Sequence, residues 1–150
     1  MLKVIRPLLN EEILEDIIMA DTLKLAFVGC GAIARYHLDG IKEHAPRIRI
    51  TAAVDLDPEK AQAFATQTGG TAYATLDEAL EKGDFDAVDL MLPHDLHEEA
   101  ATKCFAAGKH VLLEKPMSLQ LDSCERILAA AKAAGTVFMV AENSQYWPEI

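Results

Sequence analysis

Lys24-Leu-Ala-Phe-Val-Gly-Cys-Gly-Ala-Ile-Ala-Arg35 reads as a short apolar strand that runs into a glycine turn and then opens a helix. Gly29 can take the tight turn, Gly31 lets backbone approach a pyrophosphate, and Ala34 stands where a third small residue lets helix and strand pack. The first helical residues, Ala32 and Ile33, present free N–H groups and the positive end of the helix dipole to phosphate oxygens. Glycines also mark ordinary strand-to-helix turns, so the G-x-G-x-x-A spacing gains meaning from its context. A strand must precede it, a helix must follow, and an acid should close the next strand about 20 residues on. Arg47-Ile-Arg-Ile-Thr-Ala-Ala-Val54 reads as that second strand, and Asp55 closes it.

Asp57 and Pro58 form a helix start, the acid as N-cap and the proline at the first helical position. Asp55 has no such local duty, which leaves its carboxylate to accept the hydroxyls of an adenosine ribose. A 2′-phosphate there would meet like charge and no Arg follows directly, so NAD is preferred over NADP.

Outward from these two strands the chain alternates. The first helix carries Ile33, His37, Leu38 and Ile41 on one face toward the sheet, with His37 read as a packed, hydrogen-bonded residue rather than a ligand. The second runs over Ala61, Phe64 and Ala65 to Gly69-Gly70. A short strand around Ala72-Tyr-Ala74 precedes a capping-box helix at Thr75-Leu-Asp-Glu78. Asp86-Ala-Val-Asp-Leu-Met-Leu92 reads as a buried fourth strand ended by Pro93, and Asp95 as the cap of a helix carrying Leu96, Ala100, Ala101, Cys104 and Phe105. Lys109–Glu114 returns as strand five, a helix carries Leu121, Cys124, Ile127, Leu128 and Ala131, and Thr136–Val140 is strand six.

Six strands with helices between them predict an α/β fold with a doubly wound parallel sheet of the Rossmann type, in strand order 3-2-1-4-5-6. The ends of strands one, two, four, five and six then share an edge, so Gly29, Asp55, Pro93, Glu114 and Asn143 are expected to line one crevice. Residues 1–20 fall outside this alternation and read as an N-terminal extension with an amphipathic helix capped by Asn10; residues 21–150 form the nucleotide-binding domain.

Composition narrows the class. A chain of 150 residues with 51% hydrophobic and 25% charged residues is an ordinary globular type, large enough for one domain. A net charge of −10, with no cluster of Lys and Arg, argues against nucleic acid. Cys30, Cys104 and Cys124 show neither disulfide nor zinc spacing, no metal site is expected, and a reduced cytoplasmic setting fits. No run is long and apolar enough for a membrane span, so no membrane partner is expected. Cys30, inside the glycine turn, reads as a small filler rather than a reactive thiol.

Glu114-Lys115-Pro116 is the second informative stretch. At a strand's C-terminal end it puts a flexible ammonium at the crevice, where it can bind a hydroxyl or carbonyl oxygen and help move its proton; the competing reading is a solvated surface pair. Gly29-Cys-Gly-Ala-Ile-Ala34, Leu92-Pro-His-Asp-Leu-His97, Ala107-Gly-Lys-His-Val-Leu-Leu-Glu-Lys-Pro116 and Ala141-Glu-Asn143 together resemble the N-terminal domain of the glucose-fructose oxidoreductase and inositol dehydrogenase family, Gfo/Idh/MocA, over about residues 22 to 148.

The resemblance implies that Lys115 lies beside the nicotinamide and the reacting hydroxyl, with Glu114 and Pro116 shaping that site. It also implies that Leu92, Pro93 and His97 belong to a segment under the cofactor ribose, and that Asn143 faces nicotinamide or substrate. Sugars, cyclitols and their derivatives are the substrates it implies, oxidised or reduced at a secondary hydroxyl or carbonyl. Family enzymes continue into a second α/β domain that supplies the substrate pocket and usually the oligomer contact. The present sequence ends at Trp147-Pro-Glu-Ile150, so cofactor binding is expected to outlast catalysis. An apolar patch near strand six and self-association are expected with it. A non-catalytic dinucleotide sensor and, more distantly, a methyltransferase are the alternatives.

Overall fold

Val, Ile, Leu, Phe and Ala dominate the six strands. A computed structural model describes residues 22–146. In chain order the elements are β1 (Leu23–Val28), α1 (Ala32–His44), β2 (Ile48–Val54), α2 (Pro58–Thr68), β3 (Thr71–Tyr73) and α3 (Leu76–Lys82). They continue with β4 (Ala87–Leu90), a 3-10 turn (His94–Leu96), α4 (His97–Ala106), β5 (His110–Leu113), α5 (Leu121–Ala134), β6 (Phe138–Val140) and a second 3-10 turn (Asn143–Tyr146). All neighbouring strands are parallel, in the order β3-β2-β1-β4-β5-β6. The fold is the expected Rossmann-like α/β sheet, and the expected N-terminal extension lies outside the described residues.

Alternation along β1 divides the core into two layers. Ala26 and Val28 point to the side covered by α3, α4 and α5, where Phe105, Leu113 and Ile127 are buried. Leu25 and Phe27 point to the side covered by α1 and α2, against Leu38 and Phe64. Small residues at the contacts, Ala26, Ala34, Ala52 and Ala53, let helix backbones sit close to the sheet. Asp57 caps α2 by accepting from Glu59 N–H at 3.0 Å, and Thr75 caps α3 by accepting from Glu78 N–H at 3.1 Å. Gly69 and Gly135 close α2 and α5 in the left-handed conformation.

Three local readings change. On α1 the buried stripe is Ala34 and Leu38 with Ile41 beside them, and Ile33 is 47% exposed. It lies about 100° round the helix from Ala34, which turns it away from the sheet. On α5 the stripe is Ser123, Ile127 and Ala131, whereas Leu121 and Leu128 are 74% and 50% exposed. An apolar residue adjacent to a stripe is not thereby part of it. Asp95 lies inside the 3-10 turn and does not cap α4, whose N-terminus has no side-chain cap.

One part of the sheet is bare. On the α1 side of β5 and β6, Val137 and Met139 are at least half exposed, and a hollow of about 490 Å³ opens between them, Leu112, Ile41, Leu25 and His37. The apolar patch expected near strand six is therefore present among the described residues. No helix among them is long and apolar enough to cross a membrane.

Two substitutions test this packing. Ile127→Ala empties a wholly buried site and is expected to cost about 2–5 kcal/mol in urea unfolding. Gly29→Ala places a methyl 2.3 Å from the Met91 carbonyl oxygen at φ +93°, and is expected to cost about 1–3 kcal/mol or more. Calorimetry or denaturant melts check both.

Candidate functional site

Because every strand points the same way, the C-terminal ends of β1, β2, β4, β5 and β6 meet along one edge, which brings Gly29, Asp55, Leu92, Pro93, Glu114, Lys115 and Asn143 to it. The turn after β1 is held from both sides. Gly29 N–H donates to Val54 O at 2.8 Å, and Met91 N–H donates to Val28 O at 2.8 Å. Gly29 therefore has a reason to be glycine that lies wholly within the fold, its positive φ and the closeness of Met91.

Gly31 is different. It is the N-cap of α1 at φ −81°, a conformation open to any residue, and among the described residues no heavy atom comes within 4 Å of the place its Cβ would take. Ala32 and Ile33 follow it, both exposed. Among the described helices α1 alone has neither a side-chain cap nor an acid in its first turn. Its first N–H groups and its positive dipole end are thus left for an external acceptor.

Asp55 has the local duty that the sequence did not disclose. Its Oδ2 accepts from Cys30 N–H and its Oδ1 from Asp57 N–H, each at 2.8 Å. The carboxylate ties the glycine turn to the end of β2 and keeps lone pairs for further donors. It borders a hollow of about 230 Å³ whose walls include Val28, Val54, Leu92, Leu96 and Ala100. Lys103, also in that wall, is occupied by Asp77 and Glu99. Cys30 is buried, and burial, aided by the nearby Asp55 charge, pushes its thiol up to about 12, so it is the inert filler expected.

His97 is wholly buried. Its Nε2 lies 3.0 Å from Leu92 O and its Nδ1 3.1 Å from Pro116 O, so the ring ties the segment after β4 to the segment after β5. Full burial leaves it no surface toward a ligand. Lys115 is exposed, precedes Pro116 through a cis peptide bond, and its N–H donates to Glu114 Oε2 at 2.9 Å. Asn143 is exposed at the start of the second 3-10 turn.

The residue missed from sequence is Asp89. It is buried in the middle of β4, with Oδ2 2.7 Å from His37 Nδ1, while His37 Nε2 is 3.0 Å from Glu114 Oε1. A carboxylate in the apolar run Ala87-Val-Asp-Leu90 is itself a signal, since a buried charge needs a partner. His37 is a packed, hydrogen-bonded residue as read, but its partners lead directly to the Glu114-Lys115 corner of the crevice.

The GFO_IDH_MocA family model, an oxidoreductase family with an NAD-binding Rossmann fold, matches residues 23–142. Inositol 2-dehydrogenase from Ralstonia nicotianae is 36% identical over 117 residues, covering 77% of this chain and 35% of that enzyme. Among solved structures, the WlbA dehydrogenase from Chromobacterium violaceum, in complex with NADH and UDP-GlcNAcA, is 32% identical with a TM-score of 0.80, over 83% of this chain and 36% of that one. A variant of the 3-ketoreductase KijD10 from Actinomadura kijaniata, in complex with TDP-benzene and NADP, is 30% identical with a TM-score of 0.79, over 85% of this chain and 41% of that one. The chain spans a little over a third of the length of the curated relatives it matches. The family match runs from the first residue of β1 to beyond the end of β6 and leaves no described strand or α-helix outside it, so this chain belongs to the GFO_IDH_MocA oxidoreductase family, as its NAD-binding Rossmann fold.

Proposed function

We propose that the edge crevice binds a nicotinamide dinucleotide, NAD in preference to NADP, and forms the cofactor half of an oxidoreductase acting on a secondary hydroxyl or carbonyl of a sugar, cyclitol or related compound. The observation that carries the reading is the contrast between the two glycines. Gly29 is required by the fold, whereas nothing among the described residues requires Gly31, so its missing side chain answers to a group outside the protein. The uncapped, acid-free start of α1 suits a pyrophosphate at that spot.

Each residue then has a part. The hollow bounded by Val54, Leu92 and Leu96 takes the adenine, and Asp55 accepts the ribose hydroxyls on its remaining lone pairs. A 2′-phosphate would face the Asp55 charge, and Lys103, already paired, offers little relief. Pro93 and Leu92 run beneath the ribose, with His97 holding that segment from below. Nicotinamide, when bound, supplies hydride acceptance and donation. Lys115 stands at the same edge to bind the reacting oxygen and move its proton, and Asn143 faces the same space.

Hydride transfer also needs a substrate held against the ring. The relatives named for a cyclitol or a nucleotide-linked sugar are far longer than the span matched here, so for this chain the test is binding.

Titrating the 150-residue chain with NADH and NADPH, followed by reduced-nicotinamide fluorescence, is expected to give saturable binding, weaker for NADPH. Gly31→Val is expected to weaken NADH at least about tenfold while moving the unfolding free energy by no more than about 1 kcal/mol. Asp55→Ala is expected to weaken NADH and erase the preference over NADPH, and also to cost about 1–3 kcal/mol of stability, since it strips two backbone N–H groups of their acceptor. Binding of S-adenosylmethionine in place of NADH by the folded chain would overturn the reading.

A further inference from the structure

His37, in the second turn of α1, sits between two carboxylates: Asp89 Oδ2 at 2.7 Å from Nδ1 and Glu114 Oε1 at 3.0 Å from Nε2. Each gap needs a proton. A neutral imidazole has one N–H and an ionised carboxylate has none. The geometry therefore calls for two protons among three groups and a net charge of −1, carried either as imidazolium between two carboxylates or as neutral His37 beside a protonated Asp89. Both arrangements hold one proton more than a solvated histidine and two solvated acids hold in mildly alkaline water.

The surroundings retain that proton. The hydrogen bond to Asp89 is the largest influence raising His37, and burial raises Asp89. Asp89 Oδ1 is buried with no hydrogen-bond partner among the described residues, so full ionisation of Asp89 is costly. No other described group facing the ring relieves this. Glu114 and Lys115 lie at the end of β5, His110 lines the same hollow from its start, and the α1 neighbours one turn away, Ile33, Ala34, Gly40 and Ile41, are uncharged.

Loss of the proton leaves a lone pair facing a carboxylate across one gap. Asp89 is only 1% exposed and cannot be rehydrated in place, whereas Glu114 is 16% exposed. The Glu114 bond is the one that opens. Glu114 also accepts the Lys115 N–H through its other oxygen, so its release loosens the backbone at Lys115 and leaves its carboxylate without the His37 donor beside the crevice.

We propose that His37 is a positioning residue that makes binding of the nicotinamide half of the cofactor proton-linked: the protonated His37–Asp89–Glu114 chain clamps the Lys115 corner, and the deprotonated chain releases it. This rests on the dinucleotide reading of the crevice. The sign follows from the raised His37 value. The clamp is complete below the ordinary histidine range, about 6.5, and is lost as pH rises through the value in the folded chain.

The test compares NADH with ADP-ribose, which has the adenosine and pyrophosphate but no nicotinamide, on the full chain from pH 6 to 9.5. The ratio of the NADH to the ADP-ribose association constant is expected to fall roughly tenfold with rising pH, the scale of one charge-assisted hydrogen bond. The ¹⁵N shifts of the His37 ring are expected to move over the same interval. In Asp89→Asn the amide N–H donates to Nδ1, leaving Nε2–H for Glu114 with no extra proton, so the ratio is expected to stay at its acid-side value throughout. Titration of Lys115 itself would persist in that variant, which separates the two. A wild-type ratio constant with pH, a ratio that moves without the ring shifts, or a fall retained in folded Asp89→Asn overturns the coupling alone. Should Asp89→Asn not fold, the wild-type ratio and ring shifts decide. Failure of both ligands to bind overturns the crevice reading and the coupling with it.

Discussion

The structure turns on the crowding of three backbone segments at Gly29. Val28 carbonyl takes the N–H of Met91, Gly29 N–H goes to Val54, and the Met91 carbonyl presses where a side chain would stand. One turn is thereby locked to the ends of both β2 and β4, and Asp55 adds a third tie through Cys30. Everything proposed for the crevice depends on this lock. It fixes the start of α1 relative to Asp55 and to the Leu92–Pro93 segment before any ligand arrives, and such preorganisation spares a ligand the cost of ordering loops.

Much of this was legible because it follows from local chemistry. Glycine spacing, the Asp57-Pro58 start and the Gly69 stop depend on backbone requirements that neighbours cannot override, and parallel β-α-β crossovers leave little freedom in strand order. The family likeness carried by the glycine turn and Glu114-Lys115-Pro116 was legible for the same reason, since both stretches are continuous in the chain. What failed was partnership at a distance. Asp55 looked free because one donor, Cys30 N–H, is far away in sequence and the other, Asp57 N–H, is a backbone group that no side-chain pattern marks, and Asp89 passed unnoticed because its partner His37 lies on another element. Ile33 was put on the buried face because hydropathy does not say how a helix is rotated on its sheet.

The two halves of the crevice differ in kind. The side bounded by Val54, Leu92 and Leu96 is apolar and built on short contacts within the fold, while the Lys115 side is held by polar ties, His97 to backbone carbonyls and His37 to two carboxylates. Apolar walls suit a base that is only held. Titratable ties suit a position where a proton has to move, because there the protein must answer to charge as well as to shape.

The bare face over β5 and β6 has a consequence for how rigidity is distributed. β1 is paired on both edges and covered on both faces, whereas β6 is three residues long, is paired to β5 alone among the described strands, and has Met139 half exposed. Opening free energy should therefore decline from the centre of the sheet toward β6, and amide exchange there should outpace exchange in β1 by orders of magnitude. The yielding end of the sheet is also the end nearest Asn143, so in the proposed reading the glycine turn that takes the pyrophosphate rests on the stiffest strands and the Lys115–Asn143 corner lies beside the most pliant one.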